Sequence, residues 1–142
     1  MIFSYQPQRA YCMLDPREPK LQAIVVQLLG PGSEIILYKK SHRITLVPGQ
    51  ASNGLLEISR EKLRDGAVEI VRKDMSDGGL VILDARLSFT VVKGVAITLA
   101  FTSKEELARW GKIKLPNSSE LRKKCEEMST ERIGTNYEFE GG

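Results

Sequence analysis

The residues best suited to chemistry form a short basic cluster, Lys39-Lys40-Ser41-His42-Arg43. Three cations and a titratable imidazole on one tight turn could bind an anionic lipid headgroup or a phosphate. The alternative interpretation is a solvated turn whose like charges simply face water. Lys39, Lys40, His42 and Arg43 are therefore the candidate ligand-binding residues.

Catalysis is not indicated by the residues around this cluster. His42 is the single histidine of the chain, and a general base or an activated nucleophile needs an orienting partner beside it. Ser41 is its neighbour, but adjacent residues in an extended turn point in different directions. Glycine loops with the GxGxxG or GxxxxGK[ST] spacing that holds phosphates are absent from the sequence. We expect no catalytic residues and a protein that is not an enzyme.

Metal and cofactor sites are not indicated either. A zinc site needs about four ligands, and Cys12, Cys125 and His42 do not supply them. The two cysteines lie far apart in the sequence and form no CxxC pair. They are compatible with reduced thiols in a cytoplasmic protein or with one long-range disulfide.

The bulk composition limits the partner classes. The 142 residues carry 21 basic and 18 acidic side chains, interspersed along the chain, for a net charge of +3. Nucleic-acid binders concentrate positive charge far more strongly, so nucleic acid is disfavoured as a partner, while an anionic membrane surface stays open. No apolar run approaches the ~20 residues that span a bilayer. We expect a cytoplasmic location, with any peripheral membrane contact made through partners.

The central part of the sequence predicts short strands separated by turns. Gly30-Pro31-Gly32-Ser33 and Asp77-Gly78-Gly79 are strong turn signals. Between such signals, β-branched and alternating runs predict seven strands: 21–29, 34–39, 43–47, 55–59, 67–73, 80–89 and 95–101. This spacing is typical of an antiparallel sandwich or barrel.

Helical periodicity begins after residue 101. Thr102 with Glu105 and Ser103 with Glu106 form two overlapping capping boxes. Leu107, Trp110 and Ile113 then share one apolar stripe of the predicted helix. A second helix is predicted from Asn117-Ser118-Ser119-Glu120 onward.

Strands followed by an amphipathic helix resemble the pleckstrin-homology-like (PH-like) superfamily. The local likeness lies at residues 96–110, which read AITLAFTSKEELARW and are similar to the last strand and capping helix of such domains. The resemblance implies a mainly β fold at residues 21–115, a seven-stranded antiparallel barrel or sandwich capped by one helix. It also implies that Trp110 fills one open end of the barrel.

The first predicted hairpin departs from the lipid-binding members of that superfamily. Those members carry basic residues there, whereas residues 26–36 read VQLLGPGSEII and contain no basic residue. Members without the phosphoinositide site commonly dock proteins, so the resemblance implies a non-enzymatic protein-interaction or scaffolding module. Two alternatives stay open: anionic lipid or phosphate binding through the Lys39–Arg43 turn, and a small self-assembling viral matrix or accessory protein.

Both ends of the chain keep apolar side chains that need a place to be buried. Residues 1–20 are predicted to be an extended arm, whose Phe3, Tyr5 and Tyr11 pack on the domain or on a partner. Residues 116–142 are predicted to be a helical tail with a disordered end after Gly134. Its stripe packs on the barrel or pairs with another chain, and consists of Leu121, Cys125 and Met128. We expect a protein partner or self-association.

Overall fold

The computed structural model describes residues 6–52 and 54–141, so Phe3 and Tyr5 of the predicted arm lie outside the described residues. The chain divides into two compact units, Met1–Thr102 and Ser103–Gly142. The first unit is built from strands, and the second contains the main helix. The predicted mainly β class is confirmed.

The first unit contains nine strands among the described residues. They are β1 (Ala10–Cys12), β2 (Ala23–Leu29), β3 (Ser33–Lys39), β4 (Gly49–Gln50), β5 (Leu56–Ile58), β6 (Glu69–Met75), β7 (Gly79–Asp84), β8 (Ser88–Lys93) and β9 (Ala96–Thr102). Two short 3-10 turns, Ser41–Arg43 and Lys62–Arg64, lie between the strands.

These strands form two antiparallel sheets. The larger sheet has the order β4-β5-β1-β8-β3-β6, and the smaller has the order β7-β2-β9. The connections β2–β3, β6–β7 and β8–β9 each pass from one sheet to the other. In the part of the chain that the structure describes, no strand ladder joins the two sheets, so their hydrogen bonding does not close a barrel.

Two predicted strands differ from the structure for local reasons. The predicted strand 80–89 is broken into β7 and β8, because the Asp84 carboxylate accepts a hydrogen bond from the Arg86 backbone N–H at 2.9 Å and stabilises a turn. The predicted strand 43–47 does not form, because Ser41–Arg43 is a 3-10 turn and residues 44–47 carry no strand. Ser41 is buried there, and its Oγ accepts a hydrogen bond from the Ser88 N–H at 2.9 Å.

Strand β1 lies in a segment that the sequence predicts to be an arm. It pairs with β5 on one side and with β8 on the other, and Ala10, Tyr11 and Cys12 are at most 2% exposed. Ala10 and Cys12 pack with Ile36, Tyr38 and further buried residues in one core cluster. This part of the predicted arm is therefore an interior strand of the larger sheet.

The second unit has α1 (Lys104–Leu107), β10 (Ile113–Leu115), α2 (Ser119–Met128) and β11 (Tyr137–Phe139). Both predicted helix starts are confirmed, since Ser103 Oγ accepts from the Glu106 N–H and Ser118 Oγ accepts from the Leu121 N–H, each at 3.3 Å. Strand β11 pairs in parallel with β10, in the stretch after Gly134 that was predicted to be disordered.

The predicted stripe of Leu107, Trp110 and Ile113 on one helix is wrong. Helix α1 ends at Leu107, and Ile113 belongs to β10. Gly111 weakens a helix interior, and the Trp110 indole N–H donates to Glu106 Oε1 at 2.9 Å. The predicted capping helix is therefore a single turn.

The side-chain amide of Gln27 is buried inside the first unit. Gln27 of β2 is 0% exposed, and its Nε2 and Oε1 have no hydrogen-bond partner among the residues that the structure describes. Replacing an uncompensated buried amide with an apolar group of similar shape removes a desolvation cost of about 1–3 kcal/mol. We expect Gln27→Met to raise the free energy of unfolding by about that amount in urea titrations. Exposed Gln50→Met is the control, with no change expected, and a destabilised Gln27→Met would show that the amide is paired.

Candidate functional site

The outer face of the smaller sheet is covered by large apolar side chains. Across the β2–β9 ladder, Ile24 lies opposite Phe101, and Val26 lies opposite Leu99. Across the β2–β7 ladder, Val26 also lies opposite Ile82. We use the name apolar face for the whole set: Ile24, Val26, Leu28, Leu80, Ile82, Ile97, Leu99 and Phe101.

The apolar face is exposed. Ile82 is 64% exposed, Leu80 is 55% and Phe101 is 46%, whereas Val26 in the middle is half-buried. Of the fourteen exposed large hydrophobic residues in the described part of the chain, seven lie on this face. Single exposed hydrophobic residues are ordinary, but a contiguous apolar patch marks an interaction surface.

The opposite face of the same sheet belongs to the core. Val25, Leu29 and Leu83 are at most 7% exposed. An antiparallel sheet with one solvated face normally alternates apolar and polar residues, while strands that are apolar on both sides are typical of sheets covered on both sides. The sequence of β2, β7 and β9 therefore has the pattern of a sheet that is covered on both faces.

A charged pair lies at one end of the apolar face. Asp84 is opposite Ile24, and Arg86 Nε and Nη2 donate to the two Asp84 carboxylate oxygens at 3.0 and 2.6 Å. Burial acts to raise the pKa of Asp84, but the hydrogen bonds from Arg86 outweigh it and lower that pKa. The two side chains neutralise each other, so this end of the face carries no net charge.

The charges of Asp84 and Arg86 both act on the pKa of His42. Burial lowers the pKa of His42, and the opposing attraction of Asp84 does not offset it. Its Nδ1 is buried without a hydrogen-bond partner in the described part of the molecule, and the neighbouring Ser41 Oγ is engaged by the Ser88 N–H. Ser41 and His42 are therefore not arranged as a nucleophile and its base.

The other basic residues of the turn are partly neutralised. Lys39 Nζ lies 3.1 Å from Glu69 Oε1, while Lys40 and Arg43 are exposed. Lys40 adopts a left-handed backbone conformation with φ of 66°. All three cations of the turn are therefore exposed, and Lys39 shares its charge with Glu69.

The predicted interaction residues have different places. Tyr11 is 2% exposed and lies inside the larger sheet, so its ring does not form a free surface. Cys125 is buried and Met128 is 62% exposed on α2. With Leu121 they line an apolar cavity of about 290 Å³ whose walls also include Leu115 and Tyr137. The stripe on α2 thus faces β10 and β11 of its own unit.

The cysteines do not form a reactive or metal-binding group. Cys12 and Cys125 are both free thiols. Burial, together with the charge of Asp15, raises the pKa of the Cys12 thiol to about 12, which keeps it protonated and unreactive. Within residues 6–52 and 54–141, no group of three or more His, Cys, Asp or Glu side chains could hold a metal ion.

The residues of the apolar face were not singled out in the sequence. The available signal was the combination of apolar residues at both odd and even positions of β2, β7 and β9. That pattern indicates two covered faces, but it does not show which face belongs to the core until the register is known.

Comparison of the chain with protein-family models, curated proteins and solved structures finds no match. Among the described residues, no helix has the length and apolar character needed to cross a membrane. The geometry of the first unit is therefore the basis for the functional conclusion.

Proposed function

We propose that this protein is a non-enzymatic protein-interaction module and that the apolar face is its docking surface. The observation that carries the proposal is the register that brings eight large apolar side chains onto one exposed sheet face. Covering such a face removes apolar area from water, which is the dominant favourable term in most protein association.

The chemistry of the face defines the chemistry of its partner. Asp84 is its one charged neighbour in the cross-strand register, and Arg86 already pairs with it. A charged partner surface would lose its hydration here and gain no compensating charge. The partner surface is therefore uncharged and apolar, as a folded protein surface can be and a nucleic-acid backbone cannot.

Two further considerations support docking of a protein over binding of an anionic lipid. The ion pair of Lys39 with Glu69 reduces the positive charge of the predicted basic turn. The PH-like resemblance implies a protein-docking role for members that lack the phosphoinositide site. The PH-like barrel itself stays a prediction.

Site-specific photo-crosslinking tests this function. A benzoyl-phenylalanine is placed at Ile82, the most exposed position of the apolar face, and in a matched chain at Ile70, which is 51% exposed on β6. After irradiation in the cells that make the protein, we expect a discrete protein adduct from position 82 and none from position 70. Equal adducts at both positions, or none at position 82, would show that the face is not a docking surface.

A further inference from the structure

Resting on the proposed docking function, we infer that the apolar face binds a second copy of this chain, with the two smaller sheets packed face to face. The partner then presents the same residues, around Val26 in the middle strand with Leu99 and Ile82 on either side.

The area of the face is sufficient for such a dimer. A large residue offers roughly 200 Å² when fully exposed, the size of an aromatic side chain. Apart from the half-buried Val26, the exposed fractions on the face run from 39% at Leu99 to 64% at Ile82. Summed over the set, roughly 650 Å² per copy is available, or roughly 1,300 Å² in the pair, which is within the range of specific interfaces.

The charge pattern suits two identical copies. A two-fold interface presents every charge twice, so an uncompensated charge on the face would meet or approach its own like charge. The cross-strand register places Asp84 beside the face, and Arg86 holds both of its oxygens. Two copies can therefore meet without like-charge repulsion at this end.

The geometry is that of a sandwich core shared between two chains. Sheets stack about 10 Å apart with interdigitating side chains, and obligate dimer interfaces resemble a domain core cut in half. The strands of the smaller sheet already have the composition of strands covered on both faces. A second copy supplies the missing layer.

Sedimentation velocity of the full chain tests the inference. From low to high micromolar concentration, we expect the wild-type protein to pass from monomer to dimer. In the variant Ile82→Lys with Leu99→Lys, association should be weakened, with Kd raised at least about 100-fold and the protein left monomeric, because each buried ammonium lacks compensation. Ile70→Lys is the matched control, with unchanged dimerisation, and circular dichroism verifies that each variant is folded. The single variant Ile82→Lys gives the same readout with the least effect on the fold.

The contradicting results are distinct for the two proposals. A wild-type monomer that binds the dye anilinonaphthalene sulfonate, and loses that binding in the folded face variant, overturns the second copy while the docking function stands. A wild-type monomer that binds no dye has its face covered by another part of the chain, which overturns both. A face variant that still dimerises also overturns the inference.

Discussion

A chain that begins at Leu21 is expected to be unfolded. This truncation removes β1 from the middle of the larger sheet, where Tyr11 pairs with Phe89 of β8 and with Glu57 of β5. Ala10, Tyr11 and Cys12 are at most 2% exposed, so the deletion leaves buried backbone groups unpaired and large side chains uncovered. Small domains hold only about 5–15 kcal/mol of stability, which is less than the loss of a whole interior strand.

The matched comparison removes the other end. A chain that ends at Thr102 keeps every strand of the first unit, and we expect it to retain a β-type circular dichroism spectrum and a cooperative thermal transition. The chain that begins at Leu21 should show neither. A folded, cooperative protein from Leu21 onward would mean that β1 is dispensable and that the predicted 21–115 core is independent.

The second large effect is expected at Gly94, in the turn between β8 and β9. Gly94 has φ of +89°, which side-chain-bearing residues rarely adopt. A Cβ there would lie 2.7 Å from Ser33 Cα and would also collide with Ser33 Oγ. The Ser33 hydroxyl donates a hydrogen bond to the Val95 carbonyl and accepts one from the Val95 N–H, each at 3.2 Å. The substitution therefore strains the backbone and displaces the contact between two turns.

We expect Gly94→Ala to lower the free energy of unfolding by about 2–5 kcal/mol, from the left-handed backbone penalty together with the steric overlap. Urea denaturation measures it. Gly49→Ala is the control, because a Cβ at Gly49 meets no atom within 4 Å and its φ is not positive, and its stability should change by at most about 0.5 kcal/mol. Equal stability of the two variants would mean that the turn does not have this geometry.

Local patterns predicted the strands that have clear turns at both ends. Strands β2 and β3 are separated by Gly30-Pro31-Gly32, and they occur within two residues of the predicted bounds. The helix starts at Ser103 and Ser118 followed from their side-chain oxygens in the same way. These features depend on neighbours in sequence, which is the information a single chain provides.

Elements that depend on distant residues were not predictable. Strand β1 has three residues, Ala10–Cys12, too few for an alternation pattern, and only its pairing with β5 and β8 makes it a strand. The apolar stripe on α2 could be recognised from the sequence. Its packing against β10 and β11 could not, because the segment that forms β11 was predicted to be disordered. The prediction of the Trp110 stripe failed because the apolar spacing of the sequence continues to Ile113, whereas helix α1 ends at Leu107.

The candidate site was hidden for the same reason. The alternation in β2 separates two sets of side chains, but only the cross-strand register places Phe101 and Ile82 on the same face as Val26. The basic turn could be recognised from the sequence, because its residues are consecutive. The ion pair of Lys39 with Glu69 could not, because it forms across the β3–β6 ladder between residues that are distant in sequence. Contacts between strands, rather than composition, distinguish the proposed docking surface from the basic turn.

Solvent access to single methyl groups tests the central claim most directly. Methyl NMR with a soluble gadolinium chelate reports which side chains water can reach, for Ile82 and Leu99 on the apolar face and for Ile70 on β6. We expect the methyl groups of Ile82 and Leu99 to be strongly relaxed in dilute protein and to become protected as the concentration rises, while those of Ile70 stay exposed throughout. Ile82 methyls that remain as accessible as those of Ile70 at every concentration would contradict the claim.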